Sequence, residues 1–169
     1  MTEKVEHDLK IAQQKFAAIL NATNPDLKAF KKRGGKLHGW NDAAIPAEMS
    51  INYYDGVTGK MGQSNSGAFI RLYMIPGMRH CAEGPGPNQF GQTTNYLSCD
   101  AKQDIRLALE KWGEKGISPG SITATKFRNE LRQTAIVRTR PLCRYPQAAR
   151  YKGSGSTGDA ANFVCQAQK

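Results

Sequence analysis

Two short loops hold the side chains with the clearest chemical potential: His38-Gly39-Trp40-Asn41-Asp42 and Pro76-Gly77-Met78-Arg79-His80-Cys81. Each follows a segment that reads as a β-strand, and open α/β sheets put their reacting groups in loops at the carboxyl ends of strands. An aspartate and then a histidine delivered this way match the last two members of an α/β-hydrolase triad. In that role His80 takes the proton from a serine hydroxyl and returns it to the leaving alcohol. Asp42 holds the imidazole tautomer and stabilises the imidazolium. Each residue also has a plainer reading, Asp42 as the cap of a helix begun near Pro46 and His80 as a surface side chain.

A nucleophile is harder to find. The pattern G-x-S-x-G occurs at Gly116-Ile117-Ser118-Pro119-Gly120. A nucleophile elbow needs a strand before its serine and a helix after it, so that the strained turn exposes the hydroxyl above the sheet. Here a helix precedes and Pro119 follows, which reads as a surface turn. Ser118 also comes after Asp42 and His80, where an elbow serine should come before them. Cys81 adjoins His80, but adjacent residues on an extended chain point to opposite sides, so His80 is not its base. A disulfide or a buried thiol suits Cys81 better. His38 reads as a residue orienting the Asp42 loop. His38 and Asp42 alone are too few for a metal site, and no cysteine lies in a CxxC pair. No metal and no cofactor is expected.

The elements that must carry these loops follow from periodicity. Val5, Leu9, Ala12, Phe16, Ile19 and Leu20 form one face of a helix over 5–20. Asn21-Ala22-Thr23 matches a glycosylation sequon, a common chance match. Asn24-Pro25 predicts a second, short helix with Asn24 as N-cap, stopped at Gly34-Gly35. Lys36–Trp40 reads as the remnant of a strand leading into the Asp42 loop. Pro46 opens a helix through Met49, Tyr53 and Tyr54, ending near Gly56–Gly62. Ala68–Ile75 (AFIRLYMI) is nearly continuous in apolar residues, as a buried parallel strand would be. Asp100–Lys115 predicts a helix with Ile105, Ala108, Leu109 and Trp112 on one face and Gly116 as its stop. Short strands are expected at Ser121–Lys126 and Thr134–Arg138. The predicted architecture is a narrow, mostly parallel sheet flanked by helices, an incomplete α/β layer structure. It is expected to form a single partial domain over 1–169, with a helix/strand core over 1–140 and a tail over 141–169.

The chain has 169 residues, with 39% hydrophobic and 22% charged side chains, 17 glycines and 8 prolines. That composition belongs to a turn-rich globular protein and excludes disordered and fibrous classes. No apolar run is long enough to span a membrane. The charged start MTEKVEHDLK contains no signal-peptide core. The formal net charge is +10. Residues 126–152 concentrate eight basic side chains against Glu130 alone. Such a stretch with interleaved aromatics can bind nucleic acid. The basic residues follow no helical spacing and match no recognition motif, so a solvated surface is the preferred reading and a nucleic-acid partner is not expected.

Four cysteines allow three disulfide connectivities. Cys143 and Cys165 bracket a Gly/Ser-rich segment with little apolar content. A disulfide there would contribute roughly 3 kcal/mol of order and would imply maturation in an oxidising compartment. Two thiols in a reducing compartment are the alternative.

Over most of its length the chain resembles the C-terminal part of tannase/feruloyl esterase proteins. The segments ILNATNPDLKAFKKRGGKL, HGWNDAAIP, FIRLYMIPGMRHCAEGPGPNQFG, ALEKWGEKGISPGSITATKF and RTRPLCRYPQAARYKGSGSTGDAANFVC carry the resemblance. PGMRHC with GPGPN and RPLCRYPQAARYKGSG are its most specific pieces. The resemblance implies an α/β-hydrolase core, secretion or a periplasmic location, and hydrolysis of small phenolic esters such as gallates or ferulates. It assigns Asp42 and His80 as the catalytic aspartate and histidine. It also implies a tail disulfide between Cys143 and Cys165, and a Cys81 partner just before the nucleophilic serine.

That serine, the oxyanion hole and the lid with the family's calcium site belong to upstream sequence, so the chain is expected to be inactive alone and to need an N-terminal half. Cys99 has no family role, and with its usual partner missing Cys81 could pair with it. The strand before Asp42 is shorter than the family's by about three residues, which would shift the Asp42 loop by up to ~10 Å. The alternative function is a non-catalytic remnant or binding protein that uses the basic 126–152 stretch.

Overall fold

The computed structural model describes residues 3–40, 46–93, 99–130 and 134–167, with residues 20 and 38–40 described by their backbone. Its elements are helix α1 (Glu3–Leu20), α2 (Lys28–Lys32), strand β1 (Leu37–Trp40), α3 (Ala47–Met61), α4 (Gln63–Ser66), β2 (Ile70–Tyr73), α5 (Ile105–Lys115), β3 (Ser121–Asn129), β4 (Thr134–Cys143), β5 (Gln147–Tyr151), a 3-10 turn (Ala160–Asn162) and β6 (Phe163–Ala167).

The centre is β2, all four of whose residues are buried. Successive side chains of a strand point to opposite faces. Ile70 and Leu72 pack with Tyr54 and Val57 of α3, while Tyr73 joins Ile105 and Ala108 of α5, Ile122 and Ala124 of β3, and Leu142 of β4. Covering both faces is why this segment is apolar almost throughout. Arg71 is the exception, 8% exposed. Its guanidinium donates to the Ile70 carbonyl and to Ser118 Oγ at 2.9 and 3.2 Å and lies over the Trp112 ring at 5.0 Å. Burial holds its pKa below the usual guanidinium value.

The sheet differs from the mostly parallel one that the sequence predicts. β1 and β2 are parallel, with Leu37 opposite Ile70 and Trp40 opposite Tyr73. β3–β4 and β5–β6 are separate antiparallel pairs. Only four residues, 130–133, separate β3 from β4, and a parallel pair needs a crossover of a dozen or more.

Other boundaries moved for local reasons. α5 starts at Ile105 rather than near Asp100, because the buried Asp104 carboxylate caps it, accepting from Arg106 N and Leu107 N at 2.9 and 3.3 Å. Gly116 closes α5 with a left-handed φ of 68°, as its position predicts. α2 begins at Lys28 instead of Pro25, since Asn24 Oδ1 accepts from Asp26 N in a turn of its own. Large apolar residues of α1 remain exposed, among them Val5 43%, Leu9 51%, Phe16 49% and Ile19 78%.

The segment between Cys143 and Cys165 is ordered as the β5–β6 hairpin. The two cysteines are bonded, with Cα atoms 5.5 Å apart. Thr139 N donates to the Gly158 carbonyl and Ala160 N to Thr139 Oγ1, both at 2.8 Å. These bonds fasten the tail to β4, supplying the order that its composition lacks.

Candidate active site

Because β1 and β2 are parallel neighbours in register, the segments leaving their carboxyl ends emerge at one edge of the sheet. The Asp42 loop leaves β1 and the His80 loop leaves β2. β1 takes His38, Gly39 and Trp40 into the strand itself. Asp42, two residues further on, lies outside the described residues.

His80 sits on an exposed stretch of the loop after β2. The loop is built from unusual backbone. Met78 is buried in the core and anchors the turn after Pro76-Gly77. Arg79 N donates to the Glu83 carbonyl at 3.1 Å and Ala82 N to the His80 carbonyl at 2.7 Å. Cys81 and Glu83 adopt left-handed φ values of 60° and 58°, a conformation costly for non-glycine residues. The return leg passes so close to the outgoing one that a Cβ on Gly84 would lie 2.1 Å from the Gly77 carbonyl oxygen. A Cβ on Gly86 would lie 2.3 Å from that of Pro76. The Gly-Pro-Gly sequence thus follows from steric contact.

β3 holds this folded loop from the other side. Asn88 N and Gln89 N donate to the Thr125 carbonyl at 3.3 and 3.0 Å, and Thr125 N returns a bond to Gln89 at 2.8 Å. Lys126 Nζ donates to the Gly84 carbonyl at 2.6 Å and pairs with Glu130. Glu130 also accepts from Asn88 Nδ2 at 3.0 Å. Gln92 Nε2 bridges to the carbonyls of Asn88 and Cys81 at 2.6 and 3.3 Å. No motif in the sequence marks Asn88, Gln92, Lys126 or Glu130 as supports of this loop. Lys126 and Glu130 figure there only as charges in the basic stretch, and no local spacing links Lys126 to a loop 42 residues earlier.

Ser118 occupies the turn between α5 and β3, as its context predicts, with its hydroxyl accepting from Arg71. The Pro119 carbonyl accepts from Tyr73 Oη at 3.0 Å. This turn is anchored to the strand core and is no nucleophile elbow, since it joins a helix to a strand. Cys81 and Cys99 are free, exposed thiols and are not paired with each other. Among the described residues, no group of three His, Cys, Asp or Glu side chains is arranged to hold a metal ion, and no helix is long and apolar enough to cross a membrane.

Residues 1–166 match the family model described as Tannase and feruloyl esterase. The chain belongs to this family. It is 38% identical to an esterase of Xanthomonas campestris pv. campestris, over 92% of this chain and 30% of that one. It is 42% identical to the mono(2-hydroxyethyl) terephthalate hydrolase of Piscinibacter sakaiensis, over 86% of this chain and 22% of that one. The crystal structure of feruloyl esterase B from Aspergillus oryzae superposes with a TM-score of 0.84 at 31% identity, over 95% of this chain and 32% of that chain. The chain therefore spans less than a third of the length of these family members.

Proposed function

We propose that this chain supplies the histidine and aspartate of a secreted or periplasmic serine esterase acting on small phenolic or related aromatic esters. The observation that carries the reading is the in-register parallel pairing of β1 and β2, from whose carboxyl ends the Asp42 and His80 loops leave. His80 is the general base. It accepts the proton of a serine hydroxyl as that oxygen attacks the ester carbonyl, then donates it to the departing alkoxide. Water enters by the same route, giving up a proton to His80 as it attacks the acyl-enzyme. Asp42 orients the imidazole and stabilises its charged form. The named activities of the family members, feruloyl ester and mono(2-hydroxyethyl) terephthalate hydrolysis, share an ester carbonyl conjugated to an aromatic or cinnamyl group.

On this reading the nucleophile and oxyanion hole come from a segment outside these 169 residues, which the lack of elbow geometry at the Ser118 turn supports. The test is hydrolysis of methyl ferulate, methyl gallate and mono(2-hydroxyethyl) terephthalate. The chain is assayed alone and co-expressed with the preceding two thirds of the Xanthomonas esterase, each beside His80→Ala. The expected result is turnover by the pair alone, lost in His80→Ala. Histidine-dependent turnover by the chain alone would place the nucleophile within it, with Ser118 the first suspect. Turnover that survives His80→Ala would reject the assignment of the base.

A further inference from the structure

Among the described residues of the basic stretch, the charged side chains are put to different uses. Lys126 is bound to Gly84 and Glu130, but Arg138 and Arg140 are used differently. Two residues apart on β4, they project from the same face of the strand. Both line a cavity of about 590 Å³ between the tail hairpin and the segment after β2. That volume is typical of small-molecule sites. Met74, Pro76, Tyr145 and Phe163 form much of the remaining wall.

The Arg140 guanidinium lies over the Phe163 ring, its central carbon 3.7 Å from the centroid. Such stacking fixes the orientation of a side chain that would otherwise be mobile. The wall is braced as well, since the Cys143–Cys165 disulfide joins β4 to β6 and Thr139, between the two arginines, bonds to Gly158. Among the described residues, no carboxylate forms an ion pair with Arg138 or Arg140. Burial, and then the neighbouring Arg138 charge, hold the Arg140 pKa below its usual value. Two cations thus converge on an apolar-walled hollow without a counter-charge, and an anion there would relieve their repulsion.

We propose that this cavity binds a small aromatic carboxylate, its carboxyl group on Arg138 and Arg140 and its ring against Phe163, Tyr145 and Met74. A polyanion fits less well, because phosphate chains are tracked by open charged grooves and the Arg140 guanidinium is stacked on Phe163 in a hollow lined largely by apolar side chains. The proposal is independent of the catalytic reading, and His80 does not line the cavity. The acid released by the proposed esterase nevertheless belongs to the class of ligand it would hold.

Calorimetric titration of the full chain with ferulate and with methyl ferulate tests the site. One equivalent of ferulate should bind, with the neutral ester roughly ten- to a hundredfold weaker, the loss expected for a charged hydrogen-bonding group. Arg140→Gln should weaken ferulate by a similar factor, and the exposed Arg138→Gln, which spares the fold, by a smaller one. His80→Ala should leave binding unchanged. Equal affinity for acid and ester, indifference to both arginine substitutions, or loss of binding in His80→Ala would each overturn the proposal. A single-stranded oligonucleotide that binds more tightly than ferulate and displaces it would overturn it in favour of a polyanion surface.

Discussion

Lys126 on β3 reaches the carbonyl of Gly84 at 2.6 Å across 42 residues of sequence, tying the middle of the sheet hairpin to the loop that carries His80. Glu130 completes the tie by accepting from both Lys126 and Asn88. An ammonium whose partners are fixed and largely screened from water holds a loop more firmly than a solvated pair does. Lys126→Met should therefore loosen the loop locally. Amide exchange at Arg79 and Gly86 should rise about tenfold, the size expected for losing a charged hydrogen bond, while that of Thr123 and Thr139 stays unchanged. Lys126→Arg should restore most of the protection. Uniform acceleration across the hairpin would show that the contact serves global stability alone.

The close approach at Gly84 gives a second prediction. Its φ of 102° and the 2.1 Å that would separate an added Cβ from the Gly77 carbonyl oxygen leave no room for alanine. Gly84→Ala should cost about 2–4 kcal/mol in urea unfolding and abolish any His80-dependent turnover. Gly113→Ala, where an added Cβ meets nothing within 4 Å, is the control and should be neutral or slightly stabilising.

Asp104 both caps α5 and pairs with Arg106 at 3.2 Å while fully buried. Asp104→Ala removes the cap, the carboxylate that accepts from the backbone of Arg106 and Leu107 and from the Arg106 side chain. The expected loss is about 2–3 kcal/mol, read from the denaturant midpoint. Asp104→Asn, which retains the capping oxygen, should recover roughly half of it.

Tyr73 gives the pH dependence. Burial pushes its phenol up to about 12 from the ordinary 10. Above pH 10 the unfolded chain releases this proton while the folded chain keeps it, so stability falls as pH rises from about 10 to about 12. The loss should approach 2–3 kcal/mol at the upper end. Urea unfolding at pH 9 and pH 11.5 measures it, and Tyr73→Phe should reduce the difference between them. An unchanged difference in that variant would assign the alkaline loss to other groups.

Reduction of the Cys143–Cys165 bond should release the tail, at a cost of roughly 3 kcal/mol for a loop of this length. Ferulate binding in the cavity beside it should weaken in parallel. Cys81→Ser, which removes an exposed free thiol, should change neither quantity.

Much of this protein was legible without coordinates, and the legible parts share a cause. The helix closed by Gly116 and the buried strand around Leu72 follow from spacings within a few residues, and periodicity records such spacings directly. The pairing of Cys143 with Cys165 was signalled by the composition between them and by the resemblance of the tail to one family. The PGMRHC and GPGPN segments marked the His80 loop through the resemblance they carry, but only the folded backbone shows that Gly84 passes too close to the Gly77 carbonyl to be anything but glycine.

What the tertiary structure alone decided are relationships between distant residues. Antiparallel pairing of β3 and β4 replaced the expected parallel sheet because their connection is too short to cross over. Arg71 stands in the middle of an apolar strand because Ser118, 47 residues later, and Trp112 receive its guanidinium. Lys126 became part of the His80 loop's support, while Arg138 and Arg140, from the same basic stretch, turned into a cavity. A charge in sequence carries no record of its eventual neighbour. Burial and the need to satisfy every enclosed polar group select that neighbour when the chain packs.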